Sequence, residues 1–138
     1  MNFIFSLEVY PFDVMVSVGE TDEELKEKLN YVGIEPEGDN NWHYEFLGLG
    51  RTVSFPSGQS LLRLRNKPET VDEYGMLAHE IFHVCEFILH KIGLNLTRES
   101  DEAYAYLIGF VTKKVYEQIF SEEIIQSNQM EEVENISD

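Results

Sequence analysis

The stretch Leu77-Ala78-His79-Glu80-Ile81-Phe82-His83-Val84, near the middle of the 138-residue chain, contains the pattern H-E-x-x-H. On an α-helix, His79 and His83 lie one turn apart, about 6 Å along the axis and about 40° around it, so both imidazoles can reach one metal ion. Glu80 projects from the next face, where it can take a proton from a metal-bound water molecule. The stretch therefore predicts a helix that carries half of a catalytic zinc site.

The flanking residues predict where this helix begins and ends. Thr70-Val71-Asp72-Glu73 is a T-x-x-E capping box, and Gly93 follows the last apolar position, which together predict a helix over residues 71–92. Apolar residues recur at helical spacing at Leu77, Ile81, Val84, Ile88 and Cys85 or Leu89. They predict a core-facing side with the two histidines beside it, facing a cleft. The alternative interpretation is a buried amphipathic helix whose histidines bond to neighbouring polar groups.

A catalytic zinc ion usually has three protein ligands and one water molecule, so a third ligand is needed. Glu86 shares the helical face of the histidines, but it lies about 10 Å beyond His79, which excludes it as a ligand. Glu102 follows His83 by 19 residues and stands near the start of a helix predicted over residues 99–119. Without the H-E-x-x-H motif, the favourable helix dipole would explain a glutamate in a first turn.

The motif and the segment Asp101-Glu102-Ala103-Tyr104-Ala105-Tyr106 together resemble the gluzincin arrangement of zinc metallopeptidases, a family with small single-domain members in bacterial and phage genomes. The resemblance covers roughly residues 58–112. It implies a zincin-like minimal metallopeptidase domain of the α+β class. In such a domain a small, mostly antiparallel N-terminal sheet accompanies the H-E-x-x-H helix, and a second, C-terminal helix packs against that helix.

The resemblance also implies roles for individual residues. The implied Zn²⁺ ligands are His79, His83 and Glu102, and the implied general base is Glu80; Glu99 is the reserve ligand. Gluzincins often place an aspartate four residues after the ligand glutamate, whereas this chain has a tyrosine there and no later histidine to stabilise the reaction intermediate. The candidates for second-shell or intermediate-stabilising roles are Tyr104, Tyr106 and Arg98.

Composition limits the other classes of function. The formal net charge of -16 argues against binding nucleic acid or an anionic membrane through bulk electrostatics. We expect one domain over residues 1–120 and an acidic, frayed or disordered tail over residues 121–138. The start of the chain lacks the pattern of a secretory signal, so we expect a cytoplasmic protein. Cys85 is the only cysteine, and its helical position favours the core over a ligand role.

The rest of the chain predicts strands and one more helix. Strands are expected over residues 3–9, 12–18, 42–47, 51–55 and 59–65, and a helix between Thr21 and Gly33, where Thr21-Asp22-Glu23-Glu24 is a second capping box. Residues 60–65 are predicted to be the sheet edge to which an extended peptide adds. The alternative is an ordinary strand with two exposed arginines.

Three remaining residues have simpler interpretations. His43 is expected to be a surface histidine, and His90 a structural one near the end of its helix. Gly109, in the middle of a predicted helix, suggests a close approach of two helices.

We therefore expect a zinc-dependent metallopeptidase that hydrolyses peptide or protein substrates. The alternatives are a catalytically inactive zincin-fold module that binds or regulates a partner, and a metal-dependent amidase or deformylase. The oligomeric state stays open.

Overall fold

A four-stranded sheet and three helices make up the computed structural model, which describes residues 1–34, 45–46, 48–121 and 129–130. In chain order the elements are β1 (Asn2–Ser6), β2 (Asp13–Val18), α1 (Asp22–Tyr31), β3 (Gly50–Ser54), β4 (Ser60–Leu64), α2 (Val71–Lys91) and α3 (Asp101–Ile119). The predicted α+β class is confirmed. Residues 45–46 of the strand predicted over residues 42–47 are described and are not in a strand. The rest of that predicted strand, His43 and most of the predicted tail lie outside the described residues.

The sheet is mixed, with the strand order β1-β2-β4-β3. β1 pairs with β2, and β3 with β4, in antiparallel fashion, whereas β2 and β4 run parallel. The prediction that residues 60–65 form the sheet edge is wrong, because β4 lies between β2 and β3, and β3 is the edge strand on that side. The alternative of two exposed arginines is also wrong in part, since Arg63 is buried and its guanidinium donates to Asp22 and to the Glu20 carbonyl.

Alternating side chains divide the sheet into two faces. On one face, Val14 and Val16 of β2 and Leu62 of β4 contribute to the main core with α2 and α3. On the other face, Met15 and Leu61 pack with the buried leucines of α1. Helices thus cover both faces, and the H-E-x-x-H helix belongs to the larger core.

Caps determine where the helices begin. The Thr21 side chain accepts from the backbone N–H of Glu24 in a complete capping box, and Thr70 accepts in the same way from Glu73. In contrast, Ser100 makes no side-chain cap hydrogen bond to α3, since its hydroxyl oxygen instead accepts from the backbone N–H of Thr97 at 2.9 Å. The first turn of α3 therefore lacks a contribution that is typically about 1 kcal/mol.

The structure confirms one prediction about the contact between α2 and α3 and contradicts another. α2 packs against β3, β4 and α3, which confirms the predicted pairing of the motif helix with a second, C-terminal helix. Gly109 of α3, however, is exposed, and a Cβ added there would meet nothing within 4 Å. The explanation of this glycine by close helix approach is therefore wrong. Over the described ranges, we find no helix with both the length and the apolar character needed to cross a membrane.

Candidate metal centre

Two imidazoles meet on the outer surface of α2. The Nε2 atoms of His79 and His83 lie 3.0 Å apart, and the ring centroids lie 4.7 Å apart with an interplanar angle of 77°. His79 is exposed and His83 is half-buried. The predicted placement of both rings at one point, with one side open to water, follows from the four-residue spacing on a continuous helix.

The spacing of these nitrogens is compatible with one zinc ion. Zn–N bonds of about 2.0–2.1 Å at a tetrahedral angle place two ligand nitrogens about 3.4 Å apart. The observed 3.0 Å between His79 and His83 is close to that value and is also the length of a hydrogen bond between the rings. The pair therefore matches half of a tetrahedral zinc site once the two nitrogens separate by a few tenths of an ångström.

A third ligand is not part of this arrangement. Among the residues that the structure describes, no group of three or more His, Cys, Asp and Glu side chains could hold a metal ion. Glu102 lies exposed in the first turn of α3, and it does not join His79 and His83. The structure thus brings together two of the three predicted ligands.

The helical repeat explains the position of Glu102. Buried residues of α3 form one stripe: Tyr104, Leu107, Val111, Val115 and Ile119. At about 100° per residue, Glu102 and Tyr106 are each about 200° from Tyr104, on nearly the opposite side of the helix. The Tyr106 side chain is accordingly 77% exposed.

Tyr104 instead belongs to the core beside the site. Its hydroxyl donates to the Leu94 carbonyl at 3.2 Å, and its ring stacks on Phe82, which in turn contacts the ring of His83. Burial, with the nearby charge of Glu86, raises the pKa of the Tyr104 phenol. Its hydroxyl hydrogen is thus committed to the backbone, while the ring supports the side of α2 that carries the histidines.

The other candidates lie away from the pair. Arg98 and Glu99 are exposed in the connection between α2 and α3. His90 contacts the Asn95 amide oxygen at 3.3 Å near the end of α2. Cys85 is fully buried, and burial raises the pKa of its thiol to about 12, so the predicted core position is confirmed and a thiolate ligand role is disfavoured.

Glu80 has a very different environment from the two histidines. Its side chain is only 6% exposed and lies between α2 and the edge strand β3. The Thr52 hydroxyl lies 2.5 Å from Glu80 Oε2 and 3.1 Å from the Glu80 carbonyl oxygen. Gly50, two residues earlier on the same face of β3, leaves room for this side chain, because a Cβ there would lie 3.1 Å from Glu80 Cγ.

The sequence offered no indication of Thr52 or Gly50 as site residues. Both are separated from Glu80 by about 30 residues, and their contact depends on which strand is the sheet edge. A strand pattern predicts which side chains share a face but not which strand lies over a given helix.

No protein-family model, no curated protein and no solved structure matches this chain.

Proposed function

We propose that the protein is a zinc-dependent metallopeptidase in which His79 and His83 hold the metal ion and Glu80 is the general base. The carrying observation is the arrangement around α2, where two imidazole nitrogens lie 3.0 Å apart and the intervening glutamate is buried under an edge strand. A bound zinc ion would polarise the scissile carbonyl and acidify a water molecule. Glu80 accepts the proton of that water and then delivers it to the leaving amine.

The position of β3 at the edge of the sheet is an argument for a peptide as the substrate. β3 ends the sheet on the side where Glu80 lies, and within the described residues its outer edge has no strand partner. An extended peptide can hydrogen-bond along such an edge as an additional strand. This arrangement brings a peptide carbonyl towards the side of α2 that carries the motif, with β3 in the role first predicted for residues 60–65.

The first experiment measures metal and activity together. Protein purified without added metal is analysed for zinc and assayed on casein and a fluorogenic peptide library, with and without a chelator. We expect about one zinc ion per chain and chelator-sensitive hydrolysis. His79→Ala and His83→Ala should each lose zinc, whereas His90→Ala, on the same helix, should retain it. Failure of the parent to take up zinc, or equal zinc uptake by all three variants, would overturn the proposal.

The third ligand requires its own test. The gluzincin resemblance assigns it to Glu102, whose exposed position would require the first turn of α3 to rearrange; Ser100 provides no side-chain cap to that turn. Glu102→Gln should then weaken zinc binding by more than the roughly 10- to 100-fold typical of losing an outer-shell partner. Asp101→Asn, which removes a charge from another exposed acid in the same turn, is the matched control. Unchanged zinc affinity in Glu102→Gln would remove this residue from the ligand set.

The second candidate is a binding module without catalytic activity. The observation that favours it is the absence of a third ligand beside the histidine pair among the described residues. Such a module would bind zinc weakly or not at all, and would hydrolyse none of the substrates at saturating zinc. Chelator-sensitive hydrolysis by the parent would exclude it.

A further inference from the structure

Thr52 connects the edge of the sheet to the motif helix. It lies in the middle of β3, paired with Leu62 of β4, and its side chain points to the face of the sheet that α2 covers. Its hydroxyl approaches two oxygens of the same residue, Glu80 Oε2 at 2.5 Å and the Glu80 carbonyl oxygen at 3.1 Å. The hydroxyl can therefore donate either to the side chain or to the backbone carbonyl of Glu80, and both contacts link this residue to the sheet edge.

The hydroxyl has a role that packing does not explain. The neighbouring β4 residues on this face of the sheet, Leu62 and Leu64, are apolar and fully or almost fully buried. Valine has nearly the volume of threonine and a comparable preference for strands, so it would fill this position without a polar group. Within the described residues, the Thr52 hydroxyl has its hydrogen-bond contacts with Glu80 alone.

Gly50 and Thr52 together form what we call the Glu80 seat. Gly50 gives the Glu80 methylene groups a gap that a Cβ would narrow to 3.1 Å, and Thr52 gives the carboxylate a donor. A buried carboxylate without a hydrogen-bond partner costs free energy. The Glu80 side chain is therefore most stable in the conformation in which its carboxylate accepts from the Thr52 hydroxyl. The seat thereby limits the conformations that Glu80 can adopt under β3.

We propose that Thr52 is a positioning residue, whose hydroxyl holds the Glu80 carboxylate in place to take the proton of the attacking water. This inference rests on the proposed peptidase function. A general base must lie within hydrogen-bond reach of the proton that it removes, and displacement by about 1 Å can cost 10²-fold in rate. Thr52 acts on the reaction through Glu80 and need not touch the substrate.

The contact leaves one carboxylate oxygen available for the reaction. Thr52 has one hydroxyl proton, and it donates that proton to Oε2 of the Glu80 carboxylate. The other oxygen, Oε1, takes the proton of water and then passes it to the leaving amine. Oε2 keeps the Thr52 hydroxyl as its partner during both steps.

Two substitutions separate the hydroxyl from the methyl group. Thr52→Val removes the hydroxyl and retains the shape, whereas Thr52→Ser retains the hydroxyl and removes the methyl group. We expect Thr52→Val to lower kcat roughly 10- to 100-fold with KM within about twofold and zinc content unchanged. Thr52→Ser should restore kcat to within about threefold of the parent. Equal losses in both variants would point to packing and overturn the proposal.

NMR of the metal-free protein tests the same contact without activity. In the parent, we expect a single Glu80 χ1 rotamer and nuclear Overhauser effects between the Thr52 methyl and the Glu80 γ-methylene protons. Thr52→Val should show averaging of the Glu80 rotamers, and Thr52→Ser should not. Averaged Glu80 rotamers in the parent would overturn the positioning role, even if Thr52→Val fails to fold. An inactive parent with a fixed Glu80 would refute the peptidase function and leave Thr52 as the residue that orients Glu80.

Discussion

Two glutamates are buried among the residues that the structure describes, one on each side of the sheet, and their partners differ. Glu20, on the α1 side, is 5% exposed and accepts from the Lys28 ammonium and from the Asn2 amide at 2.8 Å. Glu80, on the α2 side, is 6% exposed. Within the described part of the chain, its side chain has the Thr52 hydroxyl as a hydrogen-bond partner and forms no ion pair with a cation.

The comparison distinguishes a structural acid from a candidate reactive one. Burial alone would raise the pKa of Glu20, but the hydrogen bonds from Lys28 and Asn2 and the charge of Lys28 outweigh it and lower that pKa. Among the described residues, Glu80 instead has the uncharged Thr52 hydroxyl as the hydrogen-bond partner of its side chain. We therefore interpret Glu20 as an acid that stabilises the fold, and Glu80, which is next to His79 in the chain, as the candidate general base of the proposed reaction.

The largest expected effect comes from replacing each glutamate with glutamine. Glu80→Gln should lower hydrolysis by about 10² to 10⁴-fold with zinc content unchanged, because the amide cannot accept the proton of water. Its free energy of unfolding should stay within about 1 kcal/mol, since the amide can still bond to Thr52. Glu20→Gln should do the reverse, leaving kcat/KM unchanged and lowering the free energy of unfolding by about 1–3 kcal/mol.

The parent, Glu80→Gln and Glu20→Gln should be compared by zinc analysis, peptide hydrolysis and urea unfolding. These measurements test whether one glutamate affects activity and the other affects stability. If Glu80→Gln retains the activity of the parent, Glu80 is not the general base. If instead Glu20→Gln loses activity while it remains folded, the division of the two acids into structural and reactive fails.

Local patterns predicted the helices well. The helix predicted over residues 71–92 is observed as Val71–Lys91, and that predicted over 99–119 as Asp101–Ile119. Caps and glycines act over three or four residues, so they can be recognised without knowledge of the fold. The strand predicted over residues 3–9 ends earlier, at Ser6, because the backbone turns there and Glu8 adopts a φ of 64°.

Long-range pairings could not be predicted in the same way. The parallel pairing of β2 with β4 joins segments about 45 residues apart and makes β3 the edge strand, which no local pattern indicates. The position of Glu102 was within reach of the sequence, since the apolar stripe from Tyr104 to Ile119 already places it on the opposite side of α3. For Glu102, the helical periodicity and the motif resemblance thus indicate different positions, and the structure agrees with the periodicity.

A smaller effect should appear when the pH is lowered. Because the folded-state pKa of Glu20 lies below the model-compound value of 4.5, its interactions stabilise the folded state above the unfolded-state pKa. That contribution is lost as the pH falls through the folded-state value. Urea unfolding at about pH 7 and about pH 3 should therefore show the parent losing more stability than Glu20→Gln. Lys28→Met should lower the stability at about pH 7 and lose less than the parent on acidification, because burial then raises the Glu20 pKa without an opposing cation. Equal acid losses in parent and Glu20→Gln would contradict the structural role.

The smallest expected effect tests the fit of Glu80 against β3 by adding one methyl group. In Gly50→Ala, the new Cβ would lie 3.1 Å from Glu80 Cγ and 3.3 Å from the Arg63 carbonyl, so Glu80 must shift by a few tenths of an ångström. We expect hydrolysis to fall about tenfold, less than the roughly 10²-fold cost of a 1 Å displacement, with stability changed by less than about 1 kcal/mol.

Gly109→Ala is the matched control, because that exposed position has nothing within 4 Å. It should raise the free energy of unfolding by about 0.5–1 kcal/mol and leave hydrolysis unchanged. A Gly50→Ala variant as active as the Gly109→Ala variant would mean that the close contact of Glu80 with β3 does not matter to the reaction.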